Sequence, residues 1–224
     1  GIVGSGKLVE YFVQGAGESE RAKLKADIEY LIDVFHDAKE YGSILEIKAI
    51  DFDAIERRVE EIKNVGTGNL FEYQHRNIIL DKIPALVKQA RIMSQKYDVV
   101  VTNPPYMGRK GMGVKLIKYV DKKFRNSKSD LFAVFMELDN IYLRACGFMA
   151  MINQHSWMFL PSFESLREKI LKAKRIYNMI HLGSRAFEEI GGEVVQSTAF
   201  IFRNITINNY FGTYIRLIDF NSSI

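Results

Sequence analysis

Apolar positions along this 224-residue chain change rhythm near residue 96. Before that point they recur at helical spacing. Ile28, Leu31, Ile32, Phe35 and Ala38 form one stripe, closed by Gly42. Phe52, Ile55, Val59 and Ile62 form a second after Asp51, with Gly66 beyond it. Pro84 suits the first turn of a third helix running to about Gln95. The spacing therefore predicts a mainly helical region over 1–96.

From Tyr97 the pattern alternates between strand and helix. A strand is predicted over 97–102 and a helix from about Asp130 to Ala145. Past Gly147, "FMAMIN" reads as a strand, "SFESLREKILKA" as a helix opened by Pro161, and "RIYNMIHL" as another strand. After a loop bearing Gly191 and Gly192 come "VVQSTAFIFRN" and "TYIRLIDF", two strands with no helix between them. The expected class is α/β, a parallel sheet with covered faces that ends in an antiparallel hairpin at its edge. Residues 97–206 would hold this sheet, and 207–224 would begin a following element.

Composition narrows the picture. A single Cys excludes a disulfide framework and a Cys-rich metal site, and suits a reducing cytosol. The longest apolar runs are strand-length, so neither a membrane span nor a secretory signal is expected. The chain opens without Met and closes on "LIDFNSSI", which reads as a piece of a longer protein. From Gly1 to Val65 acids outnumber bases by 14 to 9. From Arg109 to Lys128 eight bases (Arg109, Lys110, Lys115, Lys118, Lys122, Lys123, Arg125, Lys128) face Asp121 alone. Such a stretch is either a solvated helix face or a track for phosphates.

Directly before the basic stretch stands "YDVVVTNPPYMG". Three valines of a buried strand run into Asn103, Pro104, Pro105 and Tyr106. Asn and Pro are common in turns for conformational reasons alone, but Pro-Pro straight after such a strand is unusual. In open α/β sheets ligands sit beyond the carboxyl ends of strands, where this corner falls. The exocyclic amine of adenine is a poor nucleophile because its lone pair is delocalised into the ring. Two acceptors on its hydrogens let the nitrogen pyramidalise. The Asn103 side-chain oxygen can be one and the Pro104 carbonyl the other, since proline offers an acceptor without a competing N–H. Tyr106 supplies a flat face for stacking. A base inside a duplex must first be extruded to reach such a corner. Cys146, placed at a helix end far along the sequence, argues against covalent carbon methylation.

"NPPY" after an apolar strand resembles the motif of S-adenosylmethionine-dependent amino-methyltransferases. The longer run "SQKYDVVVTNPPYMGRKGM", with "SKSDLFAVF", "QHSWMFLPSFESLREKIL" and "HLGSRAFEEIGGEVVQSTAFIFRN", is similar to PglX-type adenine-specific DNA methyltransferases of BREX phage-exclusion systems, relatives of restriction-modification methylases. The likeness runs from about Phe35 to Asn204. It implies part of a Rossmann-like methyltransferase core, S-adenosylmethionine as cofactor of the full-length protein, and methyl transfer to N6 of adenine in double-stranded DNA. It implies catalytic roles for Asn103, Pro104, Pro105 and Tyr106, with Asn103 also touching the cofactor. Phe187 would stack on the flipped base opposite Tyr106, while Arg109, Lys110, Lys115 and Lys118 would meet the DNA backbone. A cytoplasmic enzyme with other phage-defence proteins as companions is expected, and this piece alone would be inactive. Two further readings stand beside it: methyl transfer to RNA or a protein glutamine, and a non-catalytic DNA-binding module. Nuclease residues are not evident.

"GIVGSGKL" nearly matches a phosphate-binding loop, but Leu8 replaces the magnesium-binding hydroxyl and no strand precedes it. Gly4 and Gly6 could instead form a cofactor loop, although no acid-ended strand follows at the usual distance. The favoured expectation puts the cofactor-binding half upstream. Asp130 reads as a helix cap and Asn153 as a boundary residue. His36 and His75 read as surface or helix positions, His155 and His181 as better site candidates, and Trp157 as core.

Overall fold

A computed structural model describes residues 5–184 and 195–218, and the chain divides into two compact units, Gly1–Gln95 and Lys96–Ile224. The first unit is helical: α1 (Ser5–Val13), α2 (Glu18–Val34), the single turn α3 (Ala38–Tyr41), α4 (Phe52–Asn64) and α5 (Leu70–Met93). α1 packs on α2 and α5, and α4 on α5. The stripes legible in the sequence are the buried ones: Ile28, Leu31 and Ile32 on α2, and Phe52, Ile55, Val59 and Ile62 on α4. Asp51 caps α4 by accepting the Ala54 N–H at 3.0 Å.

The third helix differs from expectation. It begins at Leu70, and Pro84 lies inside it rather than in its first turn. Its start is set by Asn69, whose side chain accepts the Glu72 N–H at 2.9 Å, while Glu72 reaches back to the Gly68 N–H at 2.8 Å. This reciprocal cap outweighs the proline as a start signal. Ile79, Ile83, Val87 and Ala90 keep one buried stripe through the proline, which sits on the exposed side, where the carbonyl it leaves unpaired can meet water.

The second unit carries five strands: β1 (Tyr97–Thr102), β2 (Leu143–Gln154), β3 (Arg175–Gly183), β4 (Ser197–Arg203) and β5 (Thr213–Arg216), ordered β1-β2-β4-β3-β5. α6 (Val114–Lys123) and α7 (Leu131–Tyr142) fall between β1 and β2, and α8 (Glu164–Ala173) between β2 and β3. β1 is parallel to β2, with Val99 opposite Phe148 and Thr102 opposite Met151. β4 is antiparallel to both of its neighbours.

The expected terminal hairpin is therefore placed differently. Antiparallel pairing joins β3 to β4, and β4 slots between β2 and β3, while the last strand, β5, pairs parallel with β3. Burial explains the order. β4 carries buried Phe200 and Phe202 and sits centrally, whereas every residue of β5 is exposed and belongs at the rim. Past residue 206, Thr213–Arg216 thus pair into the same sheet, and residues 219–224 lie outside the described residues.

One face of the sheet holds the core. Met149 and Met151 of β2, Met179 of β3 and Phe200 and Phe202 of β4 pack with Phe132, Ala133 and Met136 of α7, Leu166 and Ile170 of α8, and Trp157. α7 ends at Tyr142 and β2 begins at once, earlier than the sequence suggested. Cys146 accordingly lies within β2, not at a helix end, and holds a φ of 63° beside Gly147. A Cβ on Gly147 would meet the Asp98 carbonyl oxygen at 2.9 Å, so the close approach of β1 there needs glycine.

Candidate active site

β1, β2 and β3 run in one direction, so their carboxyl ends share an edge with the start of β4. Ser197, the first residue of β4, pairs with Gln154, the last of β2, and with Gly183, the last of β3. Asn103 to Tyr106 leave β1 at this edge. Pro104 is buried, Asn103 and Pro105 are exposed, and Tyr106 is half-buried. Among the described residues the Asn103 side chain has no hydrogen-bond partner, so its amide oxygen is available to a ligand.

Tyr106 is anchored from below. Its ring meets Phe132 edge-on, with centroids 6.3 Å apart at 85°. Its hydroxyl is buried without a well-formed hydrogen bond, and so is the Ser197 hydroxyl. Burial pushes the phenol's pKa above its ordinary value, while the nearby Ser197 hydroxyl pulls the other way. Asp130 braces the chain just past the corner. It caps α7 and also accepts the Met107 N–H at 3.0 Å, and Gly108 bridges to it in antiparallel fashion. Burial raises the Asp130 carboxyl pKa in spite of these backbone donors. The expected cap is thus also the clamp that aims Asn103–Tyr106, a second role that sequence distance concealed.

The expected phosphate-contacting cations follow immediately. Arg109 is held by Asp121 through two bonds, at 2.7 and 3.0 Å, and braces the turn Arg109–Gly111 against α6. Lys110 and, on α6, Lys115 and Lys118 are exposed. Gly6 sits in the first turn of α1 in the helical unit. Gly4 and Phe187 lie outside the described residues.

Two residues singled out separately meet each other. His155 follows β2 directly and His181 lies in β3, with Nδ1 of the first 2.9 Å from Nε2 of the second. Burial lowers both pKa values, helped by His181 for His155 and by Arg216 for His181, so the pair is neutral near pH 7 with one ring donating to the other. The backbone N–H of His155 donates to the Gln196 carbonyl at 2.9 Å, beside the Ser197 that lies by Tyr106. Trp157 is core, as expected, and donates its Nε1–H to Asn153 Oδ1 at 3.1 Å. Asn153 is fully buried within β2 rather than at a boundary. Among the described residues no His, Cys, Asp or Glu cluster could hold a metal, and no helix is long and apolar enough to cross a membrane.

The described site is thus a proline corner at the carboxyl edge of a mixed α/β sheet. The chain belongs to the Eco57I restriction-modification methylase family, which matches residues 16–187. It is 38% identical over 218 residues, covering 96% of this chain, to the adenine-specific methyltransferase BrxX of Escherichia coli O9:H4 (strain HS). It is 44% identical over 190 residues, covering 84% of this chain, to the adenine-specific methyltransferase PglX of Lacticaseibacillus casei (strain Zhang). It spans 18% and 16% of the lengths of these relatives. A solved class I S-adenosylmethionine-dependent methyltransferase from Listeria monocytogenes aligns over 93% of this chain and 83% of its own, at 12% identity and a TM-score of 0.43.

Proposed function

We propose that this chain is the base-handling part of an enzyme that methylates N6 of an adenine extruded from double-stranded DNA, in BREX phage defence or restriction-modification. The observation that carries the reading is the Asn103–Tyr106 corner: an unpartnered amide and a buried proline at the carboxyl edge of a sheet, in a chain of this methylase family.

Asn103 Oδ1 and the Pro104 carbonyl accept the two hydrogens of the adenine amine, which localises its lone pair on nitrogen. Pro105 stiffens the corner, and the exposed part of the Tyr106 ring takes one face of the base. Phe187 is assigned the other face. Lys110, Lys115 and Lys118 track phosphates, with Arg109 contributing more through its brace on α6 than as a mobile cation. When bound, S-adenosylmethionine supplies the electrophilic methyl group. The described residues fit that cofactor only at Asn103. Gly6 is already in a helix, and β1 ends the described sheet with Val99 and Val101 exposed. The cofactor pocket is therefore assigned to other parts of a longer, cytoplasmic parent, which acts with other phage-defence proteins, and this chain alone transfers nothing.

The test is to incubate the full-length parent with methyl-labelled S-adenosylmethionine and, separately, duplex DNA, RNA and protein, then digest and identify the product. N6-methyladenine in DNA alone is expected. Label in RNA or on glutamine moves the substrate assignment, and DNA binding without transfer leaves a non-catalytic module.

A further inference from the structure

Beyond Gln154 the chain makes a short 3-10 turn, His155–Met158, and a second, Pro161–Phe163, before α8 begins. Between the turns, Phe159 and Leu160 point outward, 53% and 43% exposed. The turn that presents them is not loose. Trp157 is buried beneath it, edge-on to Phe200 and Phe202 at 5.3 and 5.8 Å. Arg167 of α8 donates from Nη1 to the carbonyls of Trp157 at 2.9 Å and Leu160 at 2.7 Å. The N–H groups of Phe159 and Leu160 both donate to the Ser156 carbonyl, at 3.3 and 3.0 Å. The Phe159 ring leans edge-on against His155, with centroids 4.8 Å apart at 86°, and His155 is tied to His181.

These polar and aromatic contacts hold two apolar side chains in water. Folding gains nothing from such exposure, since both rings and methyls would be better buried. The pair follows the carboxyl end of β2, the strand that runs parallel beside β1 and its Asn103–Tyr106 corner. The chain that follows the corner is strongly basic, which suits a polyanion at this edge. A base leaving a duplex opens a gap of one stacking layer, and an apolar wedge that fills it offsets part of the lost stacking.

We infer that Phe159 and Leu160 form a rigid apolar wedge that enters the stack of duplex DNA and holds the target base out of it. The inference rests on the methylase reading. The histidine pair and Arg167 position the wedge and do not touch the reacting atoms.

The test uses the full-length parent and a duplex carrying its methylated site, identified by sequencing N6-methyladenine, with 2-aminopurine replacing the target base. Extrusion by the wild-type protein raises the fluorescence. The double substitution Phe159→Ala, Leu160→Ala is expected to weaken affinity for this duplex and the fluorescence rise roughly tenfold. Affinity should return to within about threefold of wild type when the target faces an abasic site, where extrusion costs little. Phe159→Trp should keep extrusion, and its indole emission should be quenched by bases on binding. Unchanged extrusion in the double variant, equal loss on both duplexes, or a Phe159→Trp signal indifferent to DNA overturns the wedge. A wild-type protein that neither extrudes nor methylates overturns the methylase reading itself.

Discussion

The two compact units are built by different means. In the helical unit, fold and sequence stand in local register: a buried stripe such as Ile79, Ile83, Val87 and Ala90 is visible in the order of residues. In the sheet unit, Tyr106, Asp130, His155, His181 and Ser197 are far apart in sequence, and only strand order brings them to one edge. Unsatisfied polar chemistry follows that division. The buried side-chain atoms without hydrogen bonds among the described residues, on Tyr106, Asp139, Lys174, Ser197 and Arg203, all belong to the sheet unit. The helical unit spends its charges on exposed ion pairs such as Arg91 with Asp53 and Glu56. One unit spreads its charges over the surface, and the other carries buried polar groups whose environment is costly.

Substitutions should separate the two accordingly. Ile79→Ala, at a fully buried position, should lower the stability of the chain by about 4 kcal/mol in urea titration. In the parent it should leave transfer per folded molecule unchanged, and a selective loss of transfer would break the division.

Next comes the buried pair of the sheet unit. Burial raises the Asp139 carboxyl to about 7 against the pull of Lys174, and lowers the Lys174 ammonium to about 8 against the pull of Asp139. The folded state therefore binds the Asp139 proton more tightly than the unfolded chain does. The stability this contributes is full below about pH 4 and is lost as pH rises through about 7. The whole loss should amount to roughly 4 kcal/mol, and Asp139→Asn should flatten the pH dependence of urea melts between pH 5 and 7.5. Lys174 works in the opposite sense: its contribution is present above about pH 10.5 and lost as pH falls through about 8. An unaltered slope in Asp139→Asn would mean water or another group satisfies that carboxylate.

Tyr106→Ala should slow transfer by the parent about thirtyfold, from the loss of one stacking face worth about 2 kcal/mol. Tyr106→Phe should stay within about threefold, because the hydroxyl it removes has no well-formed partner. Equal defects in both would give the hydroxyl a role in the chemistry. Arg91→Ala should leave the thermal midpoint unchanged, since its carboxylate partners are exposed.

These contrasts also explain what the sequence made legible. The strand Tyr97–Thr102, its proline corner and the two helical stripes depend on near neighbours and form where periodicity put them. Val99 and Val101, however, are exposed rather than buried, because β1 is the outermost described strand, and Ala38 falls past the end of α2. The start of α5 was misread because the Asn69–Glu72 cap lies fifteen residues before the proline that suggested a beginning. The position of β4 was hidden because strand order is a property of the assembled sheet, and no local pattern encodes it. For the site, Asn103–Tyr106 could be named from four adjacent letters. The clamp from Asp130, the contact with Ser197 and the joined imidazoles could not, since each pairs residues more than twenty positions apart.

In the proposed function Asn103 acts on the adenine amine rather than in holding DNA. The most direct measurement compares Asn103→Ala with wild type in the full-length parent, recording N6-methyladenine formation and duplex affinity on the same preparation. Transfer should fall at least about a thousandfold, with affinity within about threefold of wild type. Transfer that survives the substitution, or affinity that falls in step with it, would contradict that role.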